Sequence, residues 1–195
     1  MNYKIIKPEN FTTTHWGGGS TTEFYIFPEE ANYANRDFLF RLSMATVEVE
    51  SSTFTPLPGV SRTLMVLNGT MTLTHKGHHV KTLNKFDVDH FKGDWSTQSE
   101  GKCSDFNLMT QRDCEGDLEG LSLKEGDNMD MSIAPNGEMK CIYLLKGFLS
   151  FVSDEGSGQL SSGELLVLKM SNSSDFRLKA DSNVEAVFVS IRLNR

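Results

Sequence analysis

Apolar and polar residues alternate along several stretches of this chain, and this alternation constrains the fold more than any other feature of the sequence. Successive side chains of a β-strand point to opposite faces, so a period of two indicates a strand with one buried face. Such stretches are residues 38–50, 62–75, 140–152 and 184–193. Turn signals such as Asn68-Gly69 and Lys76-Gly77 separate strands, and no convincing helical periodicity extends beyond two turns. The sequence therefore predicts an all-β sandwich or barrel.

The two halves of the sequence share a weak repeat with a constant offset of 78 positions. The matching positions are Arg62 with Lys140, Gly69 with Gly147, and residues 105–109 with residues 183–187. A constant offset across several elements indicates a duplicated unit. We therefore predict two tandem β-barrels, residues 1–112 and residues 113–195, with strands exchanged between the halves. Residues 111–130, rich in Gly, Asp and Glu, are interpreted as the connection between the barrels.

Charge and cysteine usage narrow the possible partners and location. The formal net charge is −7, the pI is about 5.2, and Lys and Arg form no cluster, which argues against a nucleic-acid partner. The sequence also contains no long apolar run that predicts a membrane segment. Cys103, Cys114 and Cys141 lack CxxC spacing, so we expect a reduced, cytoplasmic protein. The sequence leaves open whether the protein forms a homodimer.

Each half resembles a cupin, and the whole chain resembles a bicupin, but the residues that hold the cupin metal are replaced. The cupin glutamate position falls on Arg62 in the first half and on Lys140 in the second. The paired histidine positions fall within residues 55–58, and the third histidine position falls on Ser96. Pro and Leu side chains offer no lone pairs to a transition metal, and a guanidinium would repel the ion. The resemblance therefore predicts no metal and no cofactor at the usual cupin site.

A closer resemblance rests on five motifs that occur in order along the first 110 residues. They are HWGGGSTTEFYIFP (15–28), FRLSMATVEV (40–49), LPGVSRTLMVLNG (57–69), FKGDW (91–95) and DFNLM (105–109). Together they resemble the HutD/Ves family, although Trp16 runs directly into Gly17 where family members place two residues between the Trp and the glycines. The resemblance implies a bicupin fold and, for some members, an association with histidine utilisation. It implies no established enzymatic activity.

Arg62 is the sharpest candidate for function. Its strand alternates Arg62, Leu64 and Val66 on one face, which points into the barrel if the cupin register holds. An unpaired guanidinium in that place would be costly, so it needs a carboxylate. The carboxylate belongs either to a bound ligand or to the protein, in a structural salt bridge at the barrel rim with Glu23 or Asp105 as candidates.

Two polar pairs are further candidates for the lining of a ligand pocket. Arg41 and Ser43 share one face of their strand, and Asp105 and Asn107 share one face of DFNLM. Each pair lines a pocket or, alternatively, faces solvent or serves a structural role.

Two segments rich in glycine or histidine complete the set of candidates. The glycines between Trp16 and Glu23 form either a ligand-facing lid or a simple connection. In HKGHH (75–79), Lys76-Gly77 predicts a two-residue turn that places His75 across from His78 at an exposed tip, so we expect a solvated hairpin rather than a metal site.

These observations favour one function and leave two others open. The favoured one is a metal-independent bicupin that binds a small carboxylate-bearing metabolite, in a regulatory role linked to histidine utilisation. The expected ligand-binding residues are Arg62, Arg41, Ser43, Trp16, Glu23, Asp105 and Asn107. The alternatives are a metal-free isomerase or hydrolase with a carboxylate or His90 as base, and a structural or interaction protein with closed barrels. No catalytic residue can be named, so binding is favoured over catalysis.

Overall fold

A computed structural model describes residues 2–133, 137–153, 156–169 and 174–194. Within these residues the chain forms nineteen β-strands and one short 3-10 helix at Pro8–Asn10. The strands are β1 (Asn2–Ile6), β2 (Thr12–Trp16), β3 (Gly19–Phe27), β4 (Phe40–Val47), β5 (Ser51–Thr53), β6 (Val60–Gly69), β7 (Met71–His75), β8 (Val80–Leu83), β9 (Val88–Lys92), β10 (Thr97–Glu100), β11 (Cys103–Gln111), β12 (Cys114–Leu123), β13 (Asn128–Ile133), β14 (Glu138–Lys146), β15 (Phe148–Ser153), β16 (Gly156–Ser161), β17 (Leu165–Lys169), β18 (Ser174–Ala180) and β19 (Val184–Leu193). The all-β prediction is confirmed. No helix in the described ranges has the length and apolar character needed to cross a membrane.

The strands form two units, each with two sheets. The N-terminal unit, Phe11–Leu118, contains a six-stranded sheet of order β2-β3-β4-β11-β6-β9 and a four-stranded sheet of order β5-β10-β7-β8. The C-terminal unit comprises Met1–Asn10 and Glu119–Arg195. Its sheets have the orders β1-β17-β14-β19-β12 and β13-β18-β15-β16, and β12 spans the boundary between the units. Among the described residues, no sheet closes on itself into a barrel.

Residues 111–130, interpreted as the connection between the halves, contain the boundary between the units after Leu118, but they also form β12 and the start of β13, which the sequence pattern did not predict. Only Cys114, Leu118 and Leu121 are buried in β12, while Gly, Asp and Glu occupy most of the remaining positions. This spacing is wider than the alternation of a half-buried strand, so it does not produce a period of two. The segment is nevertheless a strand, because its backbone forms hydrogen bonds with β19.

The interior of the N-terminal unit has an apolar part and a polar part. One face of β6 contributes Leu64 and Val66 to a buried cluster with Met71 and Leu73 of β7. Arg62 lies on that same face of β6, because it is two residues from Leu64 and alternate side chains of a strand share a face. The six-stranded sheet therefore turns Arg62 toward the inside of the unit, beside the apolar cluster rather than toward bulk water.

Two glycines with the same φ angle differ in the space around them. Gly69 and Gly77 both have φ of +81°, but a Cβ at Gly69 would lie 2.6 Å from the Lys102 carbonyl oxygen, whereas one at Gly77 meets nothing within 4 Å. We expect Gly77→Ala to lower the unfolding free energy by about 1 kcal/mol, the usual strain of a left-handed residue. We expect Gly69→Ala to lower it by about 2–3 kcal/mol, because the strain and the clash add. Urea unfolding of both variants checks this, and equal losses would contradict it.

Candidate functional site

A cavity of about 600 Å³ opens within the N-terminal unit. Strands β2 to β6, strand β11 and the loop at residues 31–34 contribute to its wall. All seven side chains expected from the sequence lie on this wall: Trp16, Glu23, Arg41, Ser43, Arg62, Asp105 and Asn107. The structure thus brings the candidates together, while their role in binding a ligand remains a prediction.

The strand register explains why residues distant in sequence meet on this wall. Glu23 of β3 is opposite Ser43 of β4, and Ser43 is opposite Asn107 of β11. Met109 of β11 is opposite Arg62 of β6. Neighbouring residues across paired strands point to the same face of a sheet. Four adjacent strands therefore place one row of polar side chains on the inner face of the six-stranded sheet.

Arg62 is buried without an ion-pair partner among the described residues. Its side chain is 9% exposed, and its guanidinium lies 4.5 Å from the centre of the Phe54 ring and 5.2 Å from that of Phe91. Arg62 Nη2 donates a hydrogen bond of 3.2 Å to Asn107 Oδ1, but the buried Nε has no hydrogen-bond partner. Burial lowers the pKa of Arg62 to about 10, although the nearby Asp105 carboxylate opposes this effect. A buried cation with an unused donor is energetically costly and able to bind an anion.

Asp105 lies beside Arg62 but is connected to it through Asn107. Asn107 Nδ2 donates a short hydrogen bond to Asp105 Oδ1 while Asn107 Oδ1 accepts from Arg62. Asp105 is 2% exposed, and burial raises its pKa to about 7, against the lowering effects of the Asn107 hydrogen bond and the Arg62 charge. Near neutral pH this carboxyl group is therefore only partly ionised, and it compensates the charge of Arg62 only in part.

Arg41, in contrast, has a carboxylate of its own. Arg41 Nε donates to Glu23 Oε2 over 2.5 Å, and Nη1 donates to Ser43 Oγ over 3.1 Å. The guanidinium also lies 4.2 Å from the centre of the Tyr33 ring. Glu23 therefore forms its ion pair with Arg41 rather than with Arg62. Trp16, which is 41% exposed, also lines the cavity.

The sequence profile of the HutD family matches residues 8–187 of the chain. The chain belongs to the HutD family. Among curated proteins, none matches its sequence significantly. The family assignment expected from the five sequence motifs is therefore confirmed.

Solved structures share the fold of this HutD-family chain at low sequence identity. PA5104 from Pseudomonas aeruginosa PAO1, a protein of unknown function, is 23% identical with a TM-score of 0.86, covering 98% of this chain and 100% of that protein. HutD from Pseudomonas fluorescens SBW25 is 19% identical with a TM-score of 0.77, covering 100% of both chains. The oxalate decarboxylase of Lactobacillus farciminis is 7% identical with a TM-score of 0.72, covering 97% of this chain and 86% of the decarboxylase. These similarities show a cupin-type fold.

The cupin metal positions of this HutD-family chain do not fit a metal ion. Arg62, which the cupin resemblance aligns with the metal-binding glutamate, is a buried cation, and Leu57, aligned with a histidine position, is a buried apolar residue that lines the cavity. Ser96, at the third histidine position, is exposed. Transition metals need converging lone pairs from imidazole, carboxylate or thiolate groups, and these side chains do not supply them.

Lys140, which the predicted repeat aligns with Arg62, has polar partners of its own. Lys140 Nζ lies 3.0 Å from Glu138 Oε1 and donates to Ser190 Oγ over 3.0 Å. A cavity of about 380 Å³ in this unit is lined by residues 122–124, Lys146 and residues 183–185, without Lys140. Of these two residues, Arg62 in the N-terminal unit is therefore the cation without a carboxylate partner in the described part of the chain.

Three features of the site differ from the sequence-based expectations or were missed. His90 does not line the cavity; its Nδ1 lies 3.1 Å from Thr63 Oγ1 and its side chain is 58% exposed. His75 is not at a solvated tip, because it is buried and opposite His79 rather than His78. Tyr33 and Phe54, the aromatic neighbours of the two arginines, were missed because neither lies in an alternating strand pattern.

Proposed function

We propose that the cavity of the N-terminal unit binds a small carboxylate-bearing metabolite without a metal ion, with Arg62 as the main anchor. The observation that carries this proposal is the buried Nε of Arg62, which has no partner among the described residues. A carboxylate that accepts from Nε and from a terminal nitrogen would form a bidentate, charge-assisted pair with the guanidinium. Such a ligand would supply the partner that the protein itself does not provide.

The charges around the cavity support an anionic ligand. Arg41 and Glu23 neutralise each other, and Asp105, with its pKa near 7, carries only part of a negative charge at neutral pH. Arg62 therefore leaves a net positive charge on the buried wall. The volume of about 600 Å³ lies in the range of small-molecule pockets. Tyr33 and Phe54 offer apolar surface to the remainder of a small metabolite.

Family resemblance supplies the candidate ligands and the biological setting. The structure of HutD from Pseudomonas fluorescens was obtained in a formate condition, and the oxalate decarboxylase is described as a formate complex. We extend to this chain a regulatory role in histidine utilisation, with carboxylate-bearing intermediates of that pathway as ligands. The three free, buried cysteines support the proposed cytoplasmic location.

The proposal includes a bicupin architecture built by duplication. The run β4-β11-β6-β9 of the N-terminal unit corresponds in chain order to β12-β19-β14-β17 of the C-terminal unit. The sheet β5-β10-β7-β8 corresponds in the same way to β13-β18-β15-β16. Identical connectivity at similar offsets along the chain supports an origin from two copies of one cupin-like unit.

Calorimetric titration tests the proposed binding. Formate, urocanate, formylglutamate and formiminoglutamate are titrated into the folded protein, and we expect at least one to bind with one site per chain. Lys140→Met is the matched control, since Lys140 has the position of Arg62 in the other unit but lies outside the cavity, and it should bind as the wild type does. Absence of binding for all four compounds would remove the histidine-pathway version, and loss of binding in Lys140→Met would place the site elsewhere.

A metal-free enzyme is the second candidate, favoured by Asp105. A buried carboxyl group with a pKa near 7 beside a cation has the properties of a general acid or base. If the protein is an enzyme, NMR of the same compounds should show conversion that Asp105→Asn abolishes while binding persists. If none of the compounds is converted after prolonged incubation, the enzyme candidate is wrong for these compounds and binding is the favoured function.

A further inference from the structure

A second polar cluster lies outside the cavity, where the tip of the β7–β8 hairpin meets β9. His75 and Asp89 are 2% and 4% exposed, and the side chain of His79 is 39% exposed. His75 Nε2 lies 3.0 Å from Asp89 Oδ2, and His79 Nε2 lies 3.1 Å from both Asp89 oxygens. The three ligand-type atoms all lie within 4.8 Å of one another. Two imidazole nitrogens therefore converge on one buried carboxylate.

The hairpin turn creates this convergence. His78 N–H donates to the His75 carbonyl over 2.9 Å, and His75 N–H donates to the His79 carbonyl over 2.9 Å. Gly77 adopts φ of +81° at the third position of this turn, where glycine is favoured. The turn therefore directs His75 and His79 toward β9, while His78 lies outside the cluster with its ring 3.6 Å from that of Trp95.

We propose that His75, His79 and Asp89 form a binding site for a divalent transition-metal ion such as Zn²⁺. In a tetrahedral site with metal–ligand distances of about 2.0–2.1 Å, ligand atoms are separated by about 3.3 Å. The observed separations of 3.0 and 3.1 Å are close to that value, so an ion would enter after small side-chain movements. The partly exposed side of His79 leaves the fourth position open to water.

The surroundings of His75 suit a ligand that must change tautomer. A metal ion bound to Nε2 of a neutral His75 requires the ring proton to be on Nδ1. This nitrogen lies 2.8 Å from Thr97 Oγ1. Thr97 can accept this proton's hydrogen bond, because its own hydroxyl reaches the Trp95 carbonyl at 3.4 Å. Without a metal, Thr97 donates to Nδ1 and His75 Nε2–H donates to Asp89. Hydrogen-bonded outer groups of this kind orient metal ligands.

This site is separate from both the cupin metal position and the cavity. None of its three ligands lines the cavity. The Phe91 ring lies between the two sites, with its centre 5.2 Å from Arg62 Cζ and 4.5 Å from the centre of the His75 ring. The hairpin belongs to the four-stranded sheet, and β9 belongs to the six-stranded sheet. A bound ion would therefore cross-link the two sheets of the N-terminal unit and stabilise that unit.

Equilibrium dialysis against ZnCl₂, followed by metal analysis, tests the site. We expect one Zn²⁺ per chain in the wild type, and at least tenfold weaker binding in His79→Gln and Asp89→Asn. His78→Gln, in the same hairpin but outside the cluster, should bind as the wild type does. Co²⁺ should give the visible absorption bands of a site with nitrogen and oxygen ligands, and Mg²⁺ should not compete, because it prefers all-oxygen sites.

His79→Gln keeps the proposal testable if Asp89→Asn fails to fold, because His79 is only partly buried. A Zn²⁺-dependent rise in melting temperature in the wild type, absent in His79→Gln, would support the site. The proposal would be overturned if the wild type bound no Zn²⁺, if His79→Gln bound it equally well, or if His78→Gln lost it. Arg62→Met should retain Zn²⁺ binding, so this result is independent of the carboxylate ligand.

Discussion

Replacing Arg62 with methionine is expected to lower the affinity of the cavity for a carboxylate about a hundredfold, while the unfolding free energy of the ligand-free protein at pH 7 rises. Charge-assisted hydrogen bonds contribute about 1.5–3 kcal/mol, and each 1.4 kcal/mol is about tenfold in affinity. Burial lowers the pKa of Arg62 from 12.5 to about 10, which corresponds to about 3 kcal/mol of destabilisation by the charged side chain at neutral pH. Methionine removes this charge and retains contact with Phe54 and Phe91.

Calorimetry and urea unfolding of the same variant separate a functional arginine from a structural one. If Arg62 serves the ligand, binding falls while stability is maintained or raised, as in other trade-offs between activity and stability. If Arg62 serves the fold, both fall together, and the proposed role is wrong. Arg62→Lys is the matched variant: it keeps the charge but loses the planar fork, so binding should be intermediate.

Alternation in the sequence predicts the strands and the facing of Arg62 because a strand with one buried face displays a period of two. The same rule places Arg41 with Ser43 and Asp105 with Asn107, each pair on one face of its strand. These side chains line one cavity in the structure. Sequence reasoning thus identified which side chains share a face, but it left open whether each pair lines a pocket or faces solvent.

Alternation does not determine which strands are neighbours, and the polar partners depend on that order. Glu23 pairs with Arg41 rather than Arg62 because β3 lies beside β4, whereas β6 lies on the far side of β11. Strand β2 was also difficult to predict, since every residue in it is exposed and no apolar period marks it.

The histidine cluster was missed for a related reason. A turn signal locates a hairpin tip, but it does not show whether another strand covers the tip. Asp89 of β9 and Thr97 of β10 cover His75, and both contacts join residues more than ten positions apart in the chain. The burial of His75 therefore follows from tertiary packing and not from the local sequence pattern.

The second large effect is expected in the pH dependence of stability, through Asp105. Burial raises the pKa of Asp105 from 3.8 to about 7, so the folded protein holds this proton more tightly than the unfolded chain does. Between these two pH values the folded state binds more protons, and the unfolding free energy falls as the pH rises. The full loss is about 4 kcal/mol, reached just above pH 7.

Asp105→Asn isolates this contribution, because asparagine resembles the protonated carboxyl group and does not ionise. Urea unfolding between pH 4 and pH 9 should show the variant increasingly more stable than the wild type as the pH passes from about 4 to about 7, with a constant difference above that range. The hydrogen bond from Asn107 Nδ2 can be retained, since asparagine keeps an acceptor at the same position. A difference that does not vary with pH would show that Asp105 has the same pKa in the folded protein as in the unfolded chain.

Arg62→Met provides the decisive comparison within the same experiment. The charge of Arg62 holds the pKa of Asp105 below the value that burial alone would give. Without this charge the carboxyl group should remain protonated to higher pH, so the decline in stability should extend to higher pH in Arg62→Met than in the wild type. Lys140→Met should leave the profile unchanged, because Lys140 pairs with Glu138 in the other unit. An unaltered decline in Arg62→Met would mean that the charge of Arg62 does not act on the pKa of Asp105, and the coupling of these two buried groups would be wrong.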